Sequence, residues 1–159
     1  MRQMKTIIVL GLLGMVFAAP ASADWFFGAK AGPMMIDTSG ISDTKNAGVV
    51  VGYDLGVAVG DLALEGEITK TVSSGDFIGL DVDVDTQALY LAFRTAGPMY
   101  FKVKGGYLNE DVSIGSVSAS DSGMSYGVGV GFGVGVAQLE LELTIIEQDI
   151  NFLSVGVQF

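Results

Sequence analysis

The stretch from Tyr126 to Ile145, YGVGVGFGVGVAQLELELTI, contains the alternation that decides the fold. In its first half apolar residues occupy every second position and glycines fill the positions between them, and in its second half leucines alternate with glutamates. A period of two places successive side chains on opposite faces of a β-strand, whereas a helix needs a period of about 3.6. Gly135 and Val136 separate the halves, so the stretch predicts a hairpin with one apolar and one polar face.

The same period of two recurs along the chain after residue 23 and predicts eight strands. The expected boundaries are 25–36, 46–54, 61–71, 84–95, 99–110, 123–134, 137–147 and 150–159. Short turns at 56–60, 96–98 and 135–136 alternate with longer breaks, rich in Ser, Asp, Thr and Gly, at 37–45, 72–83 and 111–122, and the last connection, near 148, is short. Strands of this length, even in number, with short turns at one end, are typical of transmembrane barrels. The predicted fold class is all-β, an eight-stranded antiparallel up-and-down transmembrane β-barrel.

Aromatic residues indicate which face of the predicted strands would meet lipid. Seven of them share the phase of Val, Leu and Ile and lie near the end that carries the short turns. Amphipathic rings favour the interface between membrane and water. We therefore predict an aromatic girdle at that end, because a soluble β-sandwich would scatter its aromatic residues through its core. Its members are Trp25, Phe27, Tyr53, Phe93, Phe101, Phe132 and Phe159.

The opposite phase would face the lumen and carries both signs of charge. Its charged members are Lys30, Glu65, Glu67, Arg94, Lys102, Lys104, Glu140 and Glu142. The interior of an eight-stranded barrel is just wide enough to be filled by side chains, and charges buried there must be paired. We expect ion pairs among Lys102, Lys104, Glu140 and Glu142, and between Lys30 and Glu65 or Glu67. The alternative is that this face is the wet surface of a β-sandwich.

Composition excludes several functional classes. The chain of 159 residues has 8 Lys and Arg against 18 Asp and Glu, a formal net charge of −10, which argues against a nucleic-acid partner. It has no Cys and no His, which excludes disulfides, cysteine nucleophiles, imidazole zinc sites and Ser-His-Asp triads. The glycine run does not match the G-x-G-x-x-G pattern of nucleotide loops. We therefore predict no catalytic residues, no cofactor and no enzymatic activity.

The first 23 residues have the pattern of a signal peptide. Arg2 and Lys5 precede an apolar run at 7–19, and small residues at 21–23 suit a cleavage site before Asp24. The apolar run is too short for a permanent transmembrane anchor, which is the alternative. We expect residues 1–23 to direct export and residues 24–159 to form the barrel domain.

Three further runs carry a resemblance to a known family. LEGEI at 64–68, YFKVKGGY at 100–107 and YGVGVGF at 126–132, with the signal pattern and the eight alternating segments, resemble the small outer-membrane β-barrel family. That family includes the OmpA transmembrane domain, OmpX and opacity-type proteins of the porin family. The resemblance implies a monomer in the outer membrane of a Gram-negative bacterium, in contact with lipid and lipopolysaccharide.

The C-terminal strand resembles the assembly signal of the same family. Alternate residues lead to a terminal phenylalanine, and the set is Leu153, Val155, Val157 and Phe159. The resemblance implies recognition by the barrel-assembly machinery during biogenesis. The chain departs from the family in three ways: no periplasmic domain like that of full-length OmpA is expected, the loops look shorter than the protruding strands of OmpX-like adhesins, and the His of lipid A-modifying barrels is absent.

Asp81, Asp83 and Asp85 place three carboxylates at a period of two on one strand face. One hypothesis is a candidate cation site, in which these residues and loop acids such as Asp76 hold divalent cations that bridge to lipopolysaccharide phosphates, although the general exposure of charge favours the alternative. The alternative is a solvated rim where the strand leaves the membrane.

The sequence therefore predicts a structural and surface-interacting protein of the bacterial cell envelope, whose lumen is closed by a salt-bridge network. Two alternatives remain open. One is a small pore or hydrophobic-solute conduit with porin-like transport, and the other is a soluble periplasmic barrel that binds an apolar ligand.

Overall fold

The computed structural model describes residues 24–55, 60–147 and 149–159, and the predicted signal peptide at 1–23 lies outside these ranges. No helix within them is long and apolar enough to cross a membrane. The described residues form nine strands: β1 (Asp24–Ile36), β2 (Thr44–Asp54), β3 (Gly60–Ser73), β4 (Gly75–Phe77), β5 (Leu80–Thr95), β6 (Met99–Ile114), β7 (Val117–Val134), β8 (Ala137–Glu147) and β9 (Ile150–Gln158).

The sheet closes on itself. Its order is β3-β2-β1-β9-β8-β7-β6-β5-β4, all paired antiparallel, and a further pairing of β3 with β5 joins the two ends. Phe27 and Phe159 exchange backbone hydrogen bonds of 3.0 and 2.8 Å where β1 meets the end of the chain. Eight strands thus form a closed barrel, and the short β4 adds to β5 outside it. The predicted all-β, eight-stranded antiparallel fold is confirmed.

The predicted loop at 111–122 is wrong. β6 continues to Ile114 and β7 begins at Val117, so the strands meet in a tight turn at Gly115, whose φ is 58°. Glycine adopts this left-handed conformation without steric cost. The Ser and Asp content favoured a loop, but these residues instead form a long hairpin, in which residues 117–122 are exposed and 111–114 are partly buried.

The predicted loop at 72–83 is also largely a hairpin. Phe77 in β4 pairs with Leu80 in β5. Val82 and Val84 continue the inward phase of β5 and are almost fully buried, with exposed fractions of 1% and 0%. Val82 and Val84 alternate with aspartates, and this period of two indicates a strand although the segment is polar in composition.

The two ends of the barrel therefore differ. The short-turn end carries the end of β2, the beginning of β3, the turns at 95–99 and 134–137, and also Asp24 and Phe159. The hairpin end carries the β4–β5 and β6–β7 turns, and there β6 and β7, with 16 and 18 residues, extend beyond β8, which has 11. We refer to the extension formed by β4 and by the adjoining halves of β5, β6 and β7 as the projecting sheet.

The barrel interior is filled in two layers. Toward the hairpin end lies an apolar cluster of Met34, Val84, Tyr90, Leu108, Ile146, Ile150 and Phe152. Toward the short-turn end lie the charged side chains, with Phe26, Val50, Ala63 and Ala92 packed among their strands. Some polar side chains are also buried toward the hairpin end, among them Asn46, Thr69 and Glu110.

Glycines of β7 make room for long side chains inside the barrel. A Cβ atom on Gly127 would lie 2.7 Å from the Lys104 side chain, and one on Gly131 would overlap the Tyr100 ring. A Cβ on Gly133 would meet nothing within 4 Å. The glycine alternation therefore has a steric function at Gly127 and Gly131 that it lacks at Gly133.

Gly131→Ala should lower the free energy of unfolding by about 1–3 kcal/mol, because the added methyl group must displace the Tyr100 ring in a packed interior. Gly133→Ala is the matched control and should change stability by less than about 0.5 kcal/mol. Urea unfolding in detergent, followed by fluorescence of the single Trp, measures both. Equal losses in the two variants would contradict the steric explanation.

Candidate functional site: the charged lumen

The structure places the eight charged residues of the inward phase inside the barrel. They come from β1, β3, β5, β6 and β8, and their exposed fractions range from 0% to 7%. Two basic residues two positions apart on β6 face two acidic residues two positions apart on β8 across the glycines of β7. The alternation of each strand therefore delivers both signs of charge to one level of the lumen.

Lys102 is the centre of the network. Its Nζ lies 2.9 Å from a carboxylate oxygen of Glu65, 2.9 Å from Glu140 and 2.8 Å from Glu142. These acids belong to β3 and β8, on different sides of the barrel. One ammonium group thus links three strands through the lumen.

Lys30 and Lys104 share the same two acids. Glu67 lies 2.6 Å from each lysine, and Glu142 lies 2.9 Å from Lys30 and 2.8 Å from Lys104. Thr144 adds a hydroxyl that donates to Glu142 at 3.0 Å. Each carboxylate therefore receives several donors, the condition under which buried charges are tolerated.

Arg94 extends the network toward the short-turn end. Its guanidinium donates to Glu65 at 2.5 Å, to Asp54 at 3.0 Å and to the Gln158 side chain at 3.2 Å. Sequence reasoning missed Asp54 and Gln158. Asp54 is separated from inward-facing Gly52 by one residue, so the strand phase could have placed it in the lumen.

Aromatic rings line the charged layer and were also missed. Lys104 Nζ lies 4.0 Å from the centre of the Tyr90 ring, and the Arg94 guanidinium lies 4.3 Å from that of Phe26. The Tyr100 hydroxyl donates to Glu140 at 3.0 Å. Such contacts stabilise cations that have lost their water. Tyr90 lies four residues before Arg94 on the same strand, so the period of two could have placed its ring in the lumen.

The lumen has little free space at this level. A cavity of about 10 Å³ lies beside Lys30, Ser154 and Gln158, room for about one water molecule. The carboxylates of Glu65, Glu67 and Glu142 approach within 4.8 Å of one another, as metal ligands would. Their oxygens already face lysine ammonium groups, so these lysines supply the positive charge that an ion would bring.

The aspartates of the suggested cation rim lie on the outer face of β5, within the projecting sheet. Asp81 is exposed, Asp83 accepts a hydrogen bond of 2.6 Å from Ser74, and Asp85 is 2.6 Å from Lys70 Nζ. Among the residues that the structure describes, these three do not form a group close enough to hold one ion. The cation site stays a prediction.

The residues of the suggested girdle lie at the short-turn end, on the outer face. Phe27, Phe101, Phe132 and Phe159 expose 49–65% of their surface, and Trp25, Tyr53 and Phe93 are half-buried. The rings of Trp25 and Tyr53 meet edge to face at 5.0 Å. Of the C-terminal set, Leu153, Val155 and Phe159 also point outward and are exposed, and Val157 is half-buried.

Comparison with known proteins adds family evidence to this geometry. The family described as "Outer membrane protein beta-barrel domain" matches residues 8–152 of the chain. A search of curated proteins finds no match.

Solved structures show the same fold at low sequence identity. Neisserial surface protein A has a TM-score of 0.57 at 14% identity, covering 86% of this chain and 97% of that one. Ail of Yersinia pestis, solved with the heparin analogue sucrose octasulfate, has 0.53 at 14%, with the same coverages. The N-terminal β-barrel domain of Pseudomonas aeruginosa OprF has 0.51 at 13%, covering 84% and 97%.

Lys102→Met should lower the free energy of unfolding by about 3–5 kcal/mol, because it leaves three buried carboxylates without their shared cation. Lys70→Met removes an exposed lysine from its pair with Asp85 and should cost at most about 1 kcal/mol. Urea unfolding in detergent compares the two. Similar small losses would show that the lumen charges do not depend on one another.

Proposed function

Because the chain belongs to the family of outer-membrane β-barrel proteins, we propose that it is a structural, surface-interacting protein of the cell envelope whose lumen is closed by its salt-bridge network. Its location is the bacterial outer membrane. The short-turn end then faces the periplasm and the projecting sheet faces outward, as in other barrels of this membrane.

The single observation that carries the closed lumen is the triple contact of Lys102. Through its bonds to Glu65 on β3 and to Glu140 and Glu142 on β8, it joins two strands that lie opposite each other in the barrel. A solute would have to separate these groups, and each charge left unpaired in the interior costs several kcal/mol. The apolar cluster around Phe152 and Tyr90 fills the next layer along the same path.

The surface role follows from where the remaining charges lie. Four of the basic residues are in the lumen, and in the described part of the chain Lys45 and Lys70 are the basic residues outside it. Aspartates dominate the hairpin end, so the outer surface is acidic. A polyanion such as the sulfated ligand of Ail suits this surface poorly, and a cationic partner suits it well.

The same evidence supports a non-enzymatic protein. Glu65, Glu67, Glu140 and Glu142 are held by lysine or arginine at 2.5–2.9 Å, so they are poorly placed to transfer protons or attack a substrate. The chain has no His or Cys to provide another nucleophile or base. We propose structural work for the charged lumen rather than catalysis.

Biogenesis and environment complete the proposal. The outward face of β9, with Leu153, Val155, Val157 and Phe159, is exposed to recognition by the barrel-assembly machinery before the β1–β9 seam closes. The folded monomer then contacts lipid through its aromatic girdle and lipopolysaccharide near the projecting sheet.

Planar-bilayer recordings of the refolded protein should show no stable open channels, because the ion pairs leave no continuous water path through the lumen. A variant in which Lys102, Glu140, Tyr90 and Phe152 are all Ala removes side chains from both filled layers and should conduct. Conductance of this variant shows that inserted barrels are detectable. A mobility shift between boiled and unboiled gel samples verifies that the wild-type protein and the variant are both folded. Stable wild-type channels would instead favour the alternative of a small pore.

A further inference from the structure

The seam between β1 and β9 closes the barrel, and its ladder is interrupted near the middle. The pairs on both sides of the interruption share one register, but in the described part of the chain the pairs Gly32–Ser154 and Pro33–Leu153 are absent from it. On the other side of their strands the same four residues are paired with β2 or β8. The interruption therefore belongs to the seam alone.

Proline accounts for the interruption. Phe27 and Phe159 exchange both backbone hydrogen bonds at the start of the seam. Such bonded pairs alternate with non-bonded pairs along an antiparallel ladder, so the same register places Pro33 and Leu153 in a bonded pair. Pro33 has no N–H and cannot donate to the Leu153 carbonyl. The seam thus has fewer backbone bonds at the level of Ser154, and other contacts across it matter more there.

Ser154 faces the lumen beside the interruption, and its hydroxyl lacks a partner. The residue is 1% exposed, and among the described residues none forms a hydrogen bond with its Oγ. Buried polar groups in native structures nearly always have a partner, either protein or water. Buried Ser125 shows the usual case, since its hydroxyl is 3.0 Å from that of Tyr90 and donates to the Ile145 carbonyl at 2.7 Å. Ser154 therefore needs a partner other than a protein group.

A small polar cavity lies beside this hydroxyl. Its volume of about 10 Å³ is enough for one water molecule. Its polar side chains are Lys30, Glu67, Glu140, Glu142, Ser154 and Gln158. An internal water typically forms about three hydrogen bonds, and this lining offers both donors and acceptors. The cavity thus has the size and the polarity of a site for one water molecule.

Lys30 reaches the same cavity from β1. Its ammonium group has three N–H donors, and two of them go to Glu67 at 2.6 Å and to Glu142 at 2.9 Å. The third donor and the Ser154 hydroxyl therefore meet one cavity from the two strands of the seam. The positive charge of Lys30 disfavours a metal ion there, because like charges repel. A neutral molecule that both donates and accepts hydrogen bonds is the ligand that fits.

We propose that one water molecule is bound in this cavity and bridges β1 to β9 where the seam ladder is interrupted. The water accepts a hydrogen bond from Lys30 Nζ and donates to Ser154 Oγ and to a carboxylate oxygen of Glu140. It satisfies the buried hydroxyl and adds a contact across the seam that the backbone does not provide. Such a bridge is nearly as favourable in enthalpy as a direct hydrogen bond.

Gly156 provides the probe for this water molecule, because it lines the cavity. In NMR spectra of the refolded protein in detergent micelles, its α-protons should give a cross-peak with water, of the sign that a long-lived bound molecule produces. Gly133, an exposed glycine near the short-turn end, is the matched control and should show the contact of rapidly exchanging bulk water. Absence of the bound-water cross-peak at Gly156 of the wild-type protein would overturn the proposal.

Ser154→Val should abolish the Gly156 cross-peak, because its methyl groups occupy the cavity and the hydroxyl partner is lost. Ser125→Val also removes a buried serine hydroxyl, but one that has protein partners, and it should leave the cross-peak unchanged. The mobility shift between boiled and unboiled gel samples verifies that both variants are folded. A cross-peak that persists in Ser154→Val, or that is lost in both variants, would contradict a water held by Ser154.

Hydrogen exchange tests the effect on the seam. In Ser154→Ala, the amides of Ala31 and Val155, the pair next to the interruption, should exchange about fivefold faster than in the wild-type protein. Amides of the β6–β7 ladder should keep their exchange rates. Equal acceleration in both ladders, or none in the seam, would contradict the bridging role. A single enclosed water forms no path through the lumen, so channel recordings test the closed lumen separately.

Discussion

Backbone hydrogen bonding in lipid is the constraint on which this structure depends. No water is available in the hydrocarbon region to satisfy N–H and C=O groups, so a sheet that crosses a membrane must close on itself. Here the β1–β9 and β3–β5 ladders provide that closure. Closure of eight strands leaves an interior just wide enough for side chains to fill, so the inward-facing side chains must pack against one another.

The narrow interior explains why charge and glycine occur together in the strands. Lysines on β6 and glutamates on β8 can meet only because β7 presents glycines between them, as the close approach of Lys104 to Gly127 shows. The same arrangement divides the charge of the molecule. Basic residues are concentrated in the lumen, so the outer surface retains most of the acids.

The period of two predicted the strands and their faces because it reflects backbone geometry directly. It placed Lys102 and Glu140 on one face and suggested ion pairs among the lumen residues, but it did not identify contacts such as that of Lys102 with Glu65. Lys30 illustrates the difficulty, since it contacts Glu67 on β3 and also Glu142 on β8, and the second contact depends on barrel curvature. The projecting sheet was missed for another reason. Its Ser and Asp residues resemble a loop in composition, although Val82, Val84 and Val112 continue the strand phase.

Solvent access to the lumen tests the central claim most directly. The chain has no Cys, so Ser154→Cys would introduce a single thiol at a buried position that faces the lumen beside Lys30, and Ser116→Cys would place one at the exposed β6–β7 turn. A water-soluble, membrane-impermeant thiol reagent should label the Ser116→Cys protein rapidly and leave the Ser154→Cys protein unmodified until it is unfolded. Labelling of both folded variants at similar rates would contradict a lumen closed by its ion pairs.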